Sequence, residues 1–277
     1  MDGEHFTPAR RSRGRSWVRF GGTSWWPLIL LAFPLLALMV VPPVALLSKI
    51  SPAMFFRYVG TSAVAQAILL SLWTSAASLA ITILFGTPLA YILGRGRFVG
   101  KNVLEVLIDW PIVLPPAVAG IALLMTLGRR GLIGGWLARA GVEIPFTPIA
   151  VIIAQTFVAC PYYIKAASLG LGSVSQEILD AAALDGASRL QRFFDVTFPL
   201  AFRSLVVGAA LTWSRALGEF GATIIFAGNY PGRTQTMPLA VYIGFEIDIH
   251  QALTLAAILL IISFGLLIGI RAGFSKT

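Results

Sequence analysis

Residues 58–94 read YVGTSAVAQAILLSLWTSAASLAITILFGTPLAYILG and contain no Asp, Glu, Lys or Arg. A helix of about 20 apolar residues is long enough to cross the hydrocarbon core of a bilayer. This longer charge-free stretch therefore predicts a transmembrane helix. A helix is favoured because lipid offers no partner to an unpaired backbone group, and the alternating short strands of an outer-membrane barrel are absent from the sequence.

The whole chain has the same apolar character. It has 277 residues, of which 57% are hydrophobic and 12% charged, and its mean hydropathy is +0.83. Soluble domains carry about 25% charged residues, so this chain has too few charges to cover a water-facing surface, and we expect membrane lipid around it. The net charge of +9 does not indicate a nucleic-acid partner, because basic residues beside apolar spans set the orientation of membrane helices.

Five further apolar stretches have the length of a span. They are residues 27–48, 110–128, 144–164, 205–227 and 251–270. We predict an all-α integral membrane protein with about six transmembrane helices. The stretch 205–227 is the least regular because Arg215 and Glu219 interrupt it, and the pair Pro115–Pro116 is expected to break or kink the span 110–128.

Basic residues predict the orientation of these spans. The tail 1–24 contains Arg10, Arg11, Arg13, Arg15 and Arg19, and more basic residues fall on its side of the membrane than on the other. We therefore predict a cytoplasmic tail 1–24, a transmembrane domain 25–277 and both termini in the cytoplasm. The basic loop 129–139 fits this orientation least well. The first apolar run is longer than that of a signal peptide and lacks an A-x-A cleavage site, which favours a retained anchor.

The sequence lacks the residues of several kinds of reactive site. With one cysteine and two histidines, it offers too few ligands for a zinc or iron–sulfur site, and we expect no cofactor. Residues 94–101, GRGRFVGK, do not fit the P-loop pattern, so we expect no nucleotide hydrolysis by this chain and no enzyme activity. The charges expected at membrane depth are Arg215 and Glu219, which do not suit intramembrane proteolysis, although a membrane enzyme or a channel stays open as an alternative.

The most informative connection between spans is the loop 171–203. Its residues 175–199 read SQEILDAAALDGASRLQRFFDVTFP. They predict an alanine-rich helix ended by Gly186 and a second short helix begun by a capping box of Ser188 and Gln191. Pro199 is expected to close that second helix and open the next span. On the residues alone, an ordinary linker between spans is an equally good interpretation.

The run Asp180-Ala-Ala-x-x-x-Gly186, with Pro199 thirteen residues later, resembles the EAA motif of ABC importer permeases. In that family the loop carries the helix that docks into the ATPase subunit, and the permease has the type I importer fold. Asp180 stands where the motif usually has Glu, which keeps the charge and shortens the reach. The resemblance implies ATPase coupling for Asp180, Ala181, Ala182, Gly186 and Pro199.

Residues 214–229, SRALGEFGATIIFAGN, and 231–238, PGRTQTMP, look like the molybdate permease branch, with sulfate and thiosulfate permeases as near relatives. The resemblance implies import of molybdate, which it does not separate from tungstate, with sulfate or thiosulfate as the alternative. It also implies a homodimer in the inner membrane of a prokaryote, with two copies of an ABC ATPase and an extracytoplasmic oxyanion-binding protein as partners.

Two further groups of residues are candidate sites. Arg215 and Glu219 lie four residues apart, and an ion pair that holds helices together competes with a role in the pathway or its gate. Gly218 and Gly221 beside them allow close helix packing. In the loop 229–238, which this orientation places outside, we predict that Asn229, Thr234 and Thr236 contact the binding protein, with a solvent-exposed turn as the alternative.

Overall fold

The computed structural model describes residues 26–274, and these form helices without a β-strand among them. The basic tail 1–24 lies outside the described residues. The described residues divide into two compact units, one that ends at Ala45 and one that begins at Leu46. The helices are α1 (Trp26–Ser48), α2 (Pro52–Val59), α3 (Ser62–Arg95), α4 (Lys101–Val113), α5 (Pro116–Leu127), α6 (Gly134–Arg139), α7 (Pro148–Gly172), α8 (Gln176–Leu184), α9 (Arg189–Gln191), α10 (Phe198–Leu217), α11 (Gly221–Phe226), α12 (Met237–Ile247) and α13 (Ile249–Phe274).

Five of the described helical runs are long and apolar enough to cross a membrane. They are α1, α3, α7, the run from Arg189 to Leu217, and α13. A sixth span results if α4 and α5 are counted together, since they are bent by 112° at a short break. The prediction of an all-α membrane protein with about six spans is confirmed.

The bend between α4 and α5 lies at Leu114 and Pro115, where the backbone is extended (Leu114 ψ 133°, Pro115 ψ 131°). The expected break at Pro115–Pro116 is therefore confirmed. A proline has no N–H to donate within a helix, and it forces the preceding residue out of the helical conformation. Two adjacent prolines consequently end α4 and start α5 in a new direction.

Helices α3, α7 and α10 pack against one another and form the centre of the second unit. Short polar side chains on α3 join it to its neighbours. Ser75 Oγ accepts a hydrogen bond from Trp213 Nε1 of α10 at 2.9 Å, and Ser71 Oγ accepts one from the Met237 N–H of α12 at 2.7 Å. Close packing and hydrogen bonds of this kind hold membrane helices together, because lipid removes the hydrophobic drive for their association.

Glycines bring α3 and α7 into backbone contact at one end. A Cβ added at Gly94 would lie 2.4 Å from the Ser168 carbonyl oxygen, and one added at Gly172 would lie 2.7 Å from the Gly94 oxygen. No side chain fits at either position without separation of the helices. The crossing fixes the ends of both helices directly beside α8.

The predicted span 205–227 is not one helix, which corrects the sequence-based prediction. Helix α10 ends at Leu217, and the short helix α11 begins at Gly221. Phe220 has φ −125° and ψ −55°, outside the helical values. The span is interrupted between these helices, where the Glu219 side chain caps the start of α11.

Candidate functional site

Helix α8 has both of its ends capped. Ser175 Oγ accepts a hydrogen bond from the Glu177 N–H at 3.2 Å. At the other end Gly186 adopts φ +86°, and the Ala187 N–H donates to the Ala182 oxygen at 3.0 Å. This is a Schellman motif, for which glycine is the favoured residue. The predicted alanine-rich helix ended by Gly186 is confirmed.

The next helix begins as predicted but does not end at Pro199. Ser188 and Gln191 form the expected capping box, with distances of 2.8 and 3.3 Å. The chain then continues as a π-helix over Arg192–Thr197 and enters α10 at Phe198 without a break. The expectation that Pro199 closes the second helix is wrong, because the wider π-helical turn accommodates a residue that lacks an N–H.

One face of α8 is apolar and exposed. Ile178 is 47% and Leu184 is 90% exposed, and Ala181 between them is exposed as well. Leu179 is buried and Ala182 is partly buried, so these two side chains hold the helix against the rest of the chain. The exposed residues follow a three-residue spacing, which places them on one helical face that is available to another protein.

Arg95, at the end of α3, holds α8 in place, a role that the sequence pattern does not indicate. Its guanidinium donates to the carbonyl oxygens of Leu171 and Val174 at 3.3 and 3.0 Å. It also donates to Gln176 Oε1 at 2.6 Å, and Gln176 Nε2 donates to Asp180 Oδ1 at 2.8 Å. Asp180 is therefore connected by hydrogen bonds to the end of α3.

Arg215 and Glu219 form the ion pair that was one of the two interpretations. Arg215 Nη1 lies 2.6 Å from Glu219 Oε2, and the side chains are 28% and 1% exposed. Glu219 Oε1 also accepts a hydrogen bond from the Ala222 N–H at 2.8 Å, which caps α11. The carboxylate is thus satisfied on both oxygens, as a buried charge requires.

Gly221 and Gly218 differ in their surroundings. A Cβ at Gly221 would lie 2.6 Å from Pro116 Cβ at the start of α5, whereas a Cβ at Gly218 would have its nearest neighbour, the Ser214 oxygen, at 3.6 Å. The breaks in the two interrupted spans therefore meet at Gly221 and Pro116. Close packing requires glycine at Gly221 only.

Two charges missed by the sequence analysis lie well inside the helices. Lys165 Nζ of α7 is 2.8 Å from Asp109 of α4. At 1.5 Å per residue, Lys165 lies about 10 Å from the end of α7 at Gly172, and Asp109 lies about 6 Å from the end of α4 at Val113. The Asp109–Lys165 pair is thus a second charged pair within the helices, beside the Arg215–Glu219 pair that the sequence indicated. The helices continue past the residues at which the loss of hydropathy seemed to end the spans.

The loop 229–236 does not expose the residues expected to contact a partner. Thr234 and Thr236 are both 0% exposed, and Thr234 Oγ1 accepts a hydrogen bond from the Tyr230 N–H at 3.1 Å. The expectation of a surface contact does not fit the burial of these two threonines. The Thr234 hydroxyl folds back into the turn, and the Thr236 hydroxyl is buried without a described hydrogen-bond partner. Asn229 is only partly exposed, with its side-chain oxygen buried, and residues 230–233 form the exposed tip.

Tyr58 of α2 is bound to the start of α13. Its hydroxyl donates to Asp248 Oδ1 at 3.2 Å, and the N–H groups of His250 and Gln251 donate to the same oxygen at 3.0 and 3.3 Å. Partial desolvation would raise the pKa of Asp248, but these three hydrogen bonds outweigh it and lower the pKa below 3.8. The hydrogen bond to Asp248 raises the pKa of Tyr58.

Comparison with known proteins identifies a family that this chain matches. Residues 86–274 match the family described as binding-protein-dependent transport system inner membrane component. The molybdenum transport system permease protein ModB of Mycobacterium tuberculosis is 38% identical over 232 residues, which are 84% of this chain and 88% of that protein. The sulfate transport system permease protein CysT of Escherichia coli is 32% identical over 244 residues, 88% of this chain and 86% of that protein.

A solved structure agrees in fold. The bacterial alginate ABC transporter in complex with a periplasmic protein that carries an alginate pentasaccharide contains a chain that matches with a TM-score of 0.63 at 17% identity. The match covers 91% of this chain and 90% of that chain. At 17% identity, this match shows that the two chains share a fold and shows nothing further. The resemblance to permeases of the molybdate and sulfate branch is confirmed.

Proposed function

Because the chain belongs to the family of binding-protein-dependent transport system inner membrane components, we propose that it is the permease subunit of an ATP-driven molybdate importer. It is a multi-pass membrane protein. The assignment of molybdate as the substrate rests on the 38% identity to a molybdenum permease over 84% of the chain. Tungstate, a tetrahedral dianion of similar size, is expected to share the pathway.

The exposed apolar face of α8 is the proposed docking site for a separate ATPase, which hydrolyses the nucleotide. Ile178, Ala181 and Leu184 are the residues that this contact would bury. The hydrogen bonds from Arg95 through Gln176 to Asp180 then give the docked helix a rigid connection to α3. Movement of the ATPase would therefore move the end of a membrane-spanning helix, which is what coupling requires.

A second copy of the chain completes the pathway in this proposal, and two ATPase copies serve the pair. The Asp109–Lys165 ion pair supports it, because these side chains are 38% and 54% exposed in the single chain. Charges at membrane depth face a protein interior or a water-filled cavity and avoid lipid. A pathway between two copies would give both side chains such an environment.

The two interrupted spans are the proposed gate. Arg215 is already paired with Glu219, so the site gives an oxyanion a polar surface without a free cation that would bind it tightly. The contact of Gly221 with Pro116 joins the two breaks. A shift of α5 relative to α11 would open or close the space beside the ion pair.

The proposed orientation follows from the docking site. An ATPase on α8 requires that the Arg95 end of α3 faces the cytoplasm, and the span count then places both termini there. The opposite end receives an extracytoplasmic oxyanion-binding protein. Its proposed contact is the exposed tip 230–233 beside Gln66, near the start of α3, in place of the buried threonines.

Uptake into proteoliposomes tests the function. The chain is reconstituted with its ATPase and its binding protein, and molybdate uptake is measured with and without excess sulfate. We expect ATP-dependent molybdate uptake that excess sulfate slows only slightly. Preferential sulfate uptake would support the second candidate, a sulfate permease, to which the 32% identity with CysT points. Absence of ATP-dependent uptake of either anion by an assembled complex would refute the importer.

Coupling is tested by the variant Arg95→Gln, with Arg97→Gln as its matched control. Both changes remove one positive charge at the same end of α3, but Arg97 is exposed and makes none of the hydrogen bonds described for Arg95. We expect Arg95→Gln to lower uptake while ATP hydrolysis continues, and Arg97→Gln to retain both. Equal uptake in the two variants would exclude a coupling role for Arg95.

A further inference from the structure

A large groove lies between α3 and the segment Arg189–Phe198. Its volume is about 810 Å³, and its walls include Ile83 and Leu84 of α3 on one side and Leu190 and Phe194 on the other. These four side chains are between 37% and 71% exposed. From Ile83 to Arg95 the groove follows α3 for about 18 Å at 1.5 Å per residue. The groove is therefore largely apolar and extends from the end of α3 toward the middle of that helix.

The charges of this groove are all at one end and all positive. Its lining contains Arg95, Arg189 and Arg192, and no Asp or Glu is among the lining residues. Arg95 uses its guanidinium in the hydrogen bonds to α8 described above. The Nε of Arg192 is buried and has no hydrogen-bond partner. Because Arg189 is exposed, Arg192 is partly exposed and no carboxylate lines the groove beside them, this end of the groove favours an anion.

We propose that the groove binds one anionic phospholipid, with the phosphate at Arg192 and Arg189 and an acyl chain along Ile83 and Leu84. Basic pockets between membrane helices at the cytoplasmic face bind anionic lipid headgroups. The apolar walls match acyl chains, and the arginines match a phosphodiester in both charge and hydrogen bonding. The lipid would contact α3 and the helix that follows α8 at the same time.

Charge and depth distinguish this occupant from the protein partners. A water-soluble ATPase cannot reach side chains that lie about 18 Å along a membrane helix from its end. A second copy of this chain that placed its own groove against this one would bring the same arginines, because the groove lining contains no Asp or Glu. A phospholipid supplies both the anion and the apolar part.

Native mass spectrometry of the purified full chain in detergent tests the proposal. Phosphatidylglycerol or phosphatidylcholine is added at equal concentration, and bound lipids are counted in the wild type, Arg192→Gln, Arg189→Gln and the control Arg97→Gln. We expect preferential retention of one phosphatidylglycerol, with a loss of about fivefold for each groove arginine removed. The Arg97→Gln control is expected to retain the wild-type preference.

Three results would overturn the site. The first is equal retention of the two lipids by the wild type, or an equal loss in Arg97→Gln and the groove variants. The second is displacement of phosphatidylglycerol by inorganic phosphate at the same concentration, which would indicate a site for a free anion. The third is an efficient disulfide between two copies of a Leu84→Cys chain in a Cys160→Ala background, which would show that a second copy covers the groove.

Discussion

Replacement of Arg215 by Leu tests the buried ion pair most directly. The change leaves the Glu219 carboxylate, 1% exposed, with the Ala222 N–H as its one described hydrogen-bond donor. Loss of one partner from a buried ion pair costs about 3–5 kcal/mol. We take the lower end, about 3 kcal/mol, because Arg215 is itself 28% exposed and its removal costs less packing.

The expected shift can be measured by thermal unfolding of the purified chain in detergent. For a chain of this size, about 3 kcal/mol corresponds to a decrease in Tm of about 5 °C. Glu219→Gln is expected to lose less, about 1 kcal/mol, because the amide oxygen still accepts from the Ala222 N–H. The double variant Arg215→Leu/Glu219→Gln contains no buried charge and is expected to recover most of the loss.

The recovery in the double variant is the decisive result. Two results would refute the argument that an unpaired carboxylate causes the loss. One is a double variant with the same Tm as Arg215→Leu alone, and the other is an Arg215→Leu variant with the Tm of the wild type. The double variant also separates the two interpretations of the pair. Normal uptake by a stable double variant indicates a structural ion pair, whereas loss of uptake with retained stability indicates a gate.

Three further predictions concern other positions. Gly221→Ala is expected to destabilise the chain by about 1–3 kcal/mol through overpacking against α5, and Gly218→Ala to leave Tm unchanged; equal effects in thermal unfolding would contradict the packing argument. Gly186→Ala, at φ +86°, is expected to cost about 1–2 kcal/mol at the end of α8 and to reduce ATPase co-purification, and unchanged capture would argue against this helix as the docking site. Because the pKa of Asp248 is lowered in the folded chain, its contribution to stability is complete above pH 3.8 and is lost as the pH falls through the lower folded-state pKa. Asp248→Asn should flatten this acid dependence in thermal unfolding between about pH 2 and 6. An unchanged pH profile would show that other groups cause the dependence.

The helical membrane fold and α8 could be predicted because both depend on local sequence. Charge-free stretches longer than a bilayer crossing have few alternatives. Gly186 and the capping box of Ser188 and Gln191 use interactions within a few residues of the chain. The break at Pro115–Pro116 was predictable for the same reason.

The remaining features depend on contacts between distant residues. Arg95 and Gln176 are far apart in sequence, and no local pattern indicates that one holds the other. Asp109 and Lys165 seemed to end their spans, because a hydropathy pattern does not show that an ion pair on a neighbouring helix lets the helix continue. Thr234 was expected at the surface because it is polar, but its hydroxyl satisfies the backbone of its own turn.

The crossing of α3 and α7 at Gly94 and Gly172 has a mechanical consequence. Because the two backbones touch there with no side chain between them, the crossing acts as a fulcrum close to α8. The short arm ends at α8, the proposed docking site for the ATPase, and the long arm is the remaining length of α7, about 36 Å for 24 residues at 1.5 Å each. A small displacement of α8 therefore becomes a larger tilt at the far end of the bundle, and a bulkier residue at either glycine would remove this mechanical advantage.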